Sequence, residues 1–241
     1  MNKEKTDQYR SSGISDSGSG WEHEFRKHGR IWGDKPGALA RITLEYLNKH
    51  SRCIPDHILT DLGCGYGRDS LYFAKHCHSC IYGIDSSETA IEAARKSALE
   101  TGLDPGIFHC GNFLTADYLP ESEIVYSSNV YQILRPGERE MFRGQIRTIL
   151  KRGGVFFQST LSVNDPEHHG KGISVEGEAD SCIGPGTGKY LHLCTKEEIA
   201  RDFAFLKIEE LFEIEYIEPR TGGDHHHRSW ILAGRNQGHF R

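Results

Sequence analysis

Asp61-Leu62-Gly63-Cys64-Gly65-Tyr66-Gly67-Arg68-Asp69-Ser70 decides the fold. The apolar residues Ile58, Leu59 and Leu62 read as a strand, and Ser70-Leu71-Tyr72-Phe73-Ala74 opens a helix. Gly63, Gly65 and Gly67 occupy the connection, where glycine permits positive φ and lets a ligand approach bare backbone. The helix start behind the turn offers unpaired N–H donors and a partial positive charge. Such a junction, at the C-terminal end of a strand, is built to hold something small and polar.

Working outward, Ile81-Tyr82-Gly83-Ile84-Asp85 reads as the second strand. Ser86 or Ser87 caps a helix over 88–100, with Ala90, Ile91, Ala94 and Ala98 as its packed face, and Gly102 stops it. Strands follow at 107–110, 124–128 and 155–159, with a helix over 138–150 before the last of these. Near-continuous apolar strands indicate a parallel sheet covered on both faces. Ile208 to Ile217 and a short Ser229–Ala233 segment suggest an antiparallel edge. Before the glycine turn, Pro36-Gly37 precedes a helix over 38–49. Residues 1–20, rich in Ser, Gly and charge, read as a flexible N-terminal segment. Residues 21–241 read as one domain, with an N-terminal cap at 21–50 and a lid or insertion at 162–194.

The chain has 241 residues, enough for one substantial core, and a net charge of −5. That balance argues against an enzyme built around a nucleic-acid backbone, since neutralising phosphates needs a basic footprint. No apolar run reaches the length of a membrane span, and the N-terminus is charged rather than signal-like, so a cytoplasmic protein is expected. The seven cysteines form no disulfide frame. His76-Cys77-His78-Ser79-Cys80 is a half-site without a second CxxC, and no metal is assigned to it.

The glycine turn, with Asp85 about 20 residues after it, resembles the class I S-adenosylmethionine-dependent methyltransferases. The resemblance runs from about Trp32 to Arg235. It implies an α/β, doubly wound, mostly parallel seven-stranded sheet with an antiparallel last strand. It also implies methyl transfer from S-adenosyl-L-methionine by in-line displacement. By the same resemblance the cofactor carboxylate meets N–H groups near Gly63 and Gly65, with Cys64 in the turn. Asp61 attracts the amino group, Asp85 suits the ribose, and Ser86 follows it. Asn112, with Phe113 next to it, stands where the family carries an acid that reads adenine. Asn129, Val130 and Tyr131 follow the fourth strand, where the family places the methyl group and substrate. Trp32, Trp21 and Tyr131 offer aromatic faces to a sulfonium.

The signatures for amino-group and cytosine-C5 methylation of nucleobases are absent. The expected acceptor is a small molecule with sulfur, nitrogen, oxygen or a metalloid, as in the tellurite- and thiopurine-type branch. A hydroxyl or ammonium acceptor needs a base, and histidine is the usual choice. His192 and His168 are the candidate bases, and Tyr131 a third catalytic candidate. His225 to His227 read as solvated loop residues. Asp165, His168 and His169 could make a metal site only with a distant histidine, and none is assigned. A monomer or homodimer is expected. Two alternatives stay open, and the tight Gly63-x-Gly65-x-Gly67 spacing disfavours a third. A non-catalytic sensor would share every cofactor residue, an RNA methyltransferase would bind RNA in a salt-dependent way, and a dinucleotide oxidoreductase would want a wider glycine spacing.

Overall fold

A computed structural model describes residues 17–77, 79–184, 188–218 and 223–238. Most of the Ser/Gly-rich N-terminus, His78 and part of the 219–224 loop lie outside them. The elements in chain order are α1 (Ser17–His28), α2 (Ala38–Lys49), β1 (Ile58–Leu62), α3 (Arg68–His76), β2 (Cys80–Asp85) and α4 (Glu88–Glu100). There follow β3 (Phe108–Cys110), β4 (Ser122–Ser128), α5 (Pro136–Ile149) and β5 (Leu150–Leu161). The short strands β6 (Ile173–Ser174), β7 (Ser181–Ile183) and β8 (Tyr190–His192) precede α6 (Lys196–Asp202), β9 (Lys207–Glu218) and β10 (His225–Arg235).

Seven strands form one sheet in the order β3-β2-β1-β4-β5-β10-β9. The pairs among β1 to β5 are parallel, and β10 runs antiparallel to both of its neighbours. The last strand is therefore antiparallel and inserted into the sheet, as the resemblance implies, and β9 forms the edge. The glutamates along β9 keep that edge polar, which discourages pairing with another chain.

Alternate residues of each central strand feed two cores. Leu62, Val125, Phe156 and Leu232 pack against α5 and α6 through Phe142, Ile146, Ile199 and Phe203. Leu59, Ile124, Phe157 and Ile231 pack against α2 and α3 through Leu39, Leu47 and Phe73. Each fully buried side chain of this kind contributes roughly 1.5–3 kcal/mol. Two layers of helices on one parallel sheet leave the C-terminal strand tips, with the glycine turn among them, as the place for a site. A separate three-stranded antiparallel sheet, β6-β7-β8, occupies the segment between β5 and α6. Among the described residues, no helix is long and apolar enough to cross a membrane.

Candidate active site

A cavity of about 260 Å³ opens over the strand tips. Its floor holds Asp61, Gly63, Cys64 and Gly65 from the first turn, with Asp85 and Ser86 from the second. Gly63 and Gly65 have φ of +77° and +54°. A Cβ on Gly63 would lie 2.5 Å from Val130 Cγ2, so the bare backbone is what lets the tip of β4 close on the turn.

The sequence placed a ligand's carboxylate on the N–H groups of this turn, and the structure corrects that. The Gly63 and Cys64 N–H groups donate to the Ile84 carbonyl at 2.9 and 3.1 Å. The Gly65 N–H donates to Asp85 Oδ2 at 2.9 Å. The turn is thus stitched to β2 by these three donors, and other groups are at hand for an anion. Arg68, which follows the turn and lines the cavity, is a cation in the right place. Burial disfavours its charge, but the Asp69 carboxylate 2.9 Å away outweighs this and raises its pKa. Asp69 also accepts from Gly37 N and from the Tyr126 hydroxyl, so one carboxylate ties α2, α3 and β4 together.

Two acids define the floor electrostatically. Burial pushes Asp61 up to about 8, against a hydrogen bond donated by the Ser70 hydroxyl at 2.6 Å. Burial also raises Asp85, opposed by N–H donors from Ser87 and Gly65. Ser87 caps α4 by accepting from Ala90 N, and its hydroxyl donates to Glu22 of α1. Hydrogen bonds from Ser87 and Thr89 hold Glu22 down at about 2. α1 is thereby docked across the start of α4, and its Trp21 and Phe25 form an aromatic wall with Trp32 and Tyr66. Trp32 stacks on Tyr66 with ring centroids 6.2 Å apart. Lys189, between β7 and β8, sits 3.8 Å over the Trp21 ring and 3.4 Å from Glu24.

Phe113, Asn129, His168 and His227 also line the cavity, with Tyr216 and Glu218 from β9. Asn129 adopts a left-handed φ of +58° at the tip of β4, a conformation asparagine tolerates better than most residues. His227, which the sequence assigned to a solvated loop, is buried on β10 opposite Tyr216. Its Nδ1 is 3.0 Å from Asp165 Oδ2, while His168 Nδ1 is 2.8 Å from Asp165 Oδ1. Burial works against the Asp165 charge, but hydrogen bonds from both rings and from Arg228 N hold its carboxyl well below the usual range.

Three other candidates do not reach the cavity. Tyr131 is fully buried, and its hydroxyl donates to Asp202 and accepts from Arg143. His192 is buried with Nδ1 against Ser181 and Nε2 2.8 Å from Glu198, so both ring nitrogens are taken. Asn112 is exposed, and its Oδ1 caps a local turn by accepting from Leu114 N. Spacing did not reveal Arg68, Glu22 or His227 as site residues. For Arg68 the signal was its position directly behind the third glycine.

The methyltransferase domain family matches residues 59–154, which run from β1 into β5. Over those residues the chain carries a methyltransferase domain, in keeping with its resemblance to the class I S-adenosylmethionine-dependent methyltransferases. It is 27% identical over 156 residues to 24-methylenesterol C-methyltransferase 2 of Oryza sativa subsp. japonica, covering 62% of this chain and 43% of that protein. The chain spans about half the length of the curated relatives it matches. A structure from work on the conversion of a disulfide bond into a thioacetal group during echinomycin biosynthesis superposes with a TM-score of 0.69 at 18% identity. That superposition covers 92% of this chain and 94% of the other. TehB from Haemophilus influenzae gives 0.59 at 15% identity, covering 80% and 62%. At these identities the superpositions speak for the fold alone.

Proposed function

We propose that this protein transfers a methyl group from S-adenosyl-L-methionine to a small molecule by in-line displacement within the cavity. One observation carries the reading. A single cavity is lined both by the glycine turn with Asp61 and Asp85 and by His168 and His227. The donor set suits the cofactor. Asp85 would take the ribose hydroxyls, Asp61 the ammonium and Arg68 the carboxylate, and the aromatic wall favours a sulfonium. When bound, the cofactor supplies an electrophilic methyl on positively charged sulfur. The chain's own contribution is mainly position. Holding the acceptor behind the methyl in a dry pocket is worth up to roughly 7–11 kcal/mol.

Phe113, Val130, Leu134, Leu161 and Leu191 give the acceptor an apolar bed, with the two imidazoles at its polar end. The nucleophilic sulfur, nitrogen or oxygen meets those rings, and its proton, where it has one, leaves there. Residues 162–194 act as the lid, with Lys189 latching it to α1. Seven free cysteines accord with a reducing compartment, the cytoplasm. The acidic floor and the net charge of −5 oppose an RNA phosphate backbone. A sensor would have no use for the two histidines.

Methyl-labelled cofactor incubated with panels of thiols, amines, phenols and metalloids tests the reading. Label is expected in at least one acceptor class. The His168→Ala/His227→Ala protein should turn over about 10²–10³-fold more slowly, with cofactor affinity held within twofold. Tight cofactor binding without transfer to any class would favour the sensor instead.

Asp61 makes a second prediction. Because it keeps its proton up to about pH 8, an ammonium arriving beside it must displace that proton at pH 7. S-adenosylhomocysteine binding should release close to one proton at pH 7 and progressively less as pH rises through 8. This is read as the dependence of calorimetric heat on buffer ionisation enthalpy. Asp61→Asn should abolish the release. Equal release in that variant would assign the proton to another group.

A further inference from the structure

The loop after β5 and the antiparallel β10 bring a carboxylate and two imidazoles to one point. The ligand atoms of Asp165, His168 and His227 all lie within 4.8 Å of one another. His169, which the sequence grouped with them, is not part of the cluster. The missing distant histidine is His227, delivered by the insertion of β10 between β5 and β9. Asp165 is completely buried and His227 almost so, while His168 is half-buried. The carboxylate is locked by backbone donors, with Glu167 N and His168 N on Oδ1 and Arg228 N on Oδ2. Outer groups fix metal-binding carboxylates in the same way. Among the described residues, the ion pairs of Asp165 are with the two rings, while the Arg228 and Lys171 side chains pair with Glu215 and Glu167. The buried charge thus has no permanent cation beside it.

We propose that Asp165, His168 and His227 form a three-ligand site for a divalent first-row transition ion such as Zn²⁺, set in the wall of the cavity. Two neutral imidazoles and one carboxylate make a ligand set of charge −1. Imidazole selects zinc, iron or nickel over magnesium and calcium, which prefer all-oxygen sites. Zinc bonds of about 2.0–2.2 Å fit ligand atoms this close after small side-chain adjustments. Binding through both Nδ1 atoms moves the ring protons to Nε2. For His227 that atom is 3.8 Å from Glu218 Oε2, an ion-pair separation that would have to shorten to make the carboxylate–histidine–metal arrangement seen around zinc ligands. Three protein ligands leave a position open. Both histidines line the cavity, so the open position belongs to the acceptor. With the ion bound the two imidazoles can no longer take the acceptor's proton, and a hydroxyl or thiol on the ion would instead lose it to solvent at neutral pH and attack as the anion. This use of the ion rests on the methyl-transfer reading, whereas the ion's binding does not.

Titration of the chelator-treated chain with ZnCl₂ tests the site, paired with Co²⁺ loading followed by visible absorption. One ion per chain is expected in both, with no saturable Mg²⁺ binding. Asp165→Asn and His168→Gln should each weaken Zn²⁺ binding at least about tenfold. His168 lies on a half-buried loop position, so that variant keeps the fold even if Asp165→Asn does not. Unchanged S-adenosylhomocysteine affinity in His168→Gln would show the cofactor site intact. Failure of Zn²⁺ and Co²⁺ to saturate at one per chain, or equal affinity in the variants, would overturn the site. Stoichiometric Zn²⁺ with no cofactor binding would keep the metal centre and remove the methyl-transfer reading instead.

Discussion

Asp85→Ala is expected to weaken S-adenosylhomocysteine binding by about 100-fold. Asp85 stands at the tip of β2 and lines the cavity, with Oδ2 accepting from Gly65 N and Oδ1 from Ser87 N, each at 2.9 Å. A carboxylate has about four acceptor sites, so two remain for a pair of vicinal hydroxyls. Hydrogen bonds to a charged group contribute about 1.5–3 kcal/mol each. Losing two at the lower limit removes about 3 kcal/mol, or two decades of affinity. The same substitution strips Gly65 N of its acceptor and frees the turn from β2, which adds to the loss. Asp104, an acid whose carboxylate caps a turn well away from the cavity, provides the control, and Asp104→Ala should leave affinity unchanged. Calorimetric titration decides the matter. A change under threefold for Asp85→Ala would take this carboxylate out of the ligand's reach.

Gly67→Ala should be strongly destabilising for two separable reasons. Gly67 caps α3 with φ of +76°, and an added Cβ would lie 2.7 Å from Phe108 Cζ and 3.0 Å from Ala94 Cβ. Left-handed backbone costs an L-residue about 1–2 kcal/mol, and overpacking adds about 1–3 kcal/mol. At about 2–4 °C per kcal/mol for a chain of this size, Tm should fall by roughly 10 °C. Gly102→Ala separates the two causes. Gly102 has nearly the same φ, +75°, but nothing within 4 Å of its added Cβ. Its loss should be only a few degrees. Equal losses in thermal melts would mean that Phe108 yields and that packing does not fix the turn.

The order of elements around the turn was legible because each rests on local chemistry. The helices over 38–49 and 88–100 end where the sequence placed them, since capping by Ser87 and a stop at Gly102 are nearest-neighbour effects. The length of β10 was not legible. Its first residues, His225 to Arg228, are polar and read as loop because they face a site and the β9 edge instead of an apolar core. Hydrophobic periodicity is silent on such a strand. His227 and Asp165 meet across 62 positions of chain, a contact no spacing rule contains. Tyr131 and His192 looked available because their partners, Asp202 and Glu198, come from a helix later in the chain. Glycines announced a tight turn at Gly63 and Gly65, but not that β2 would consume the N–H groups there.

The wild-type titration tests most directly whether the floor of the cavity receives an adenosyl ligand. S-adenosylhomocysteine should bind one per chain and raise Tm, while NAD⁺ at the same concentration should do neither. Saturable NAD⁺ binding, or no heat and no thermal protection from S-adenosylhomocysteine, would contradict it.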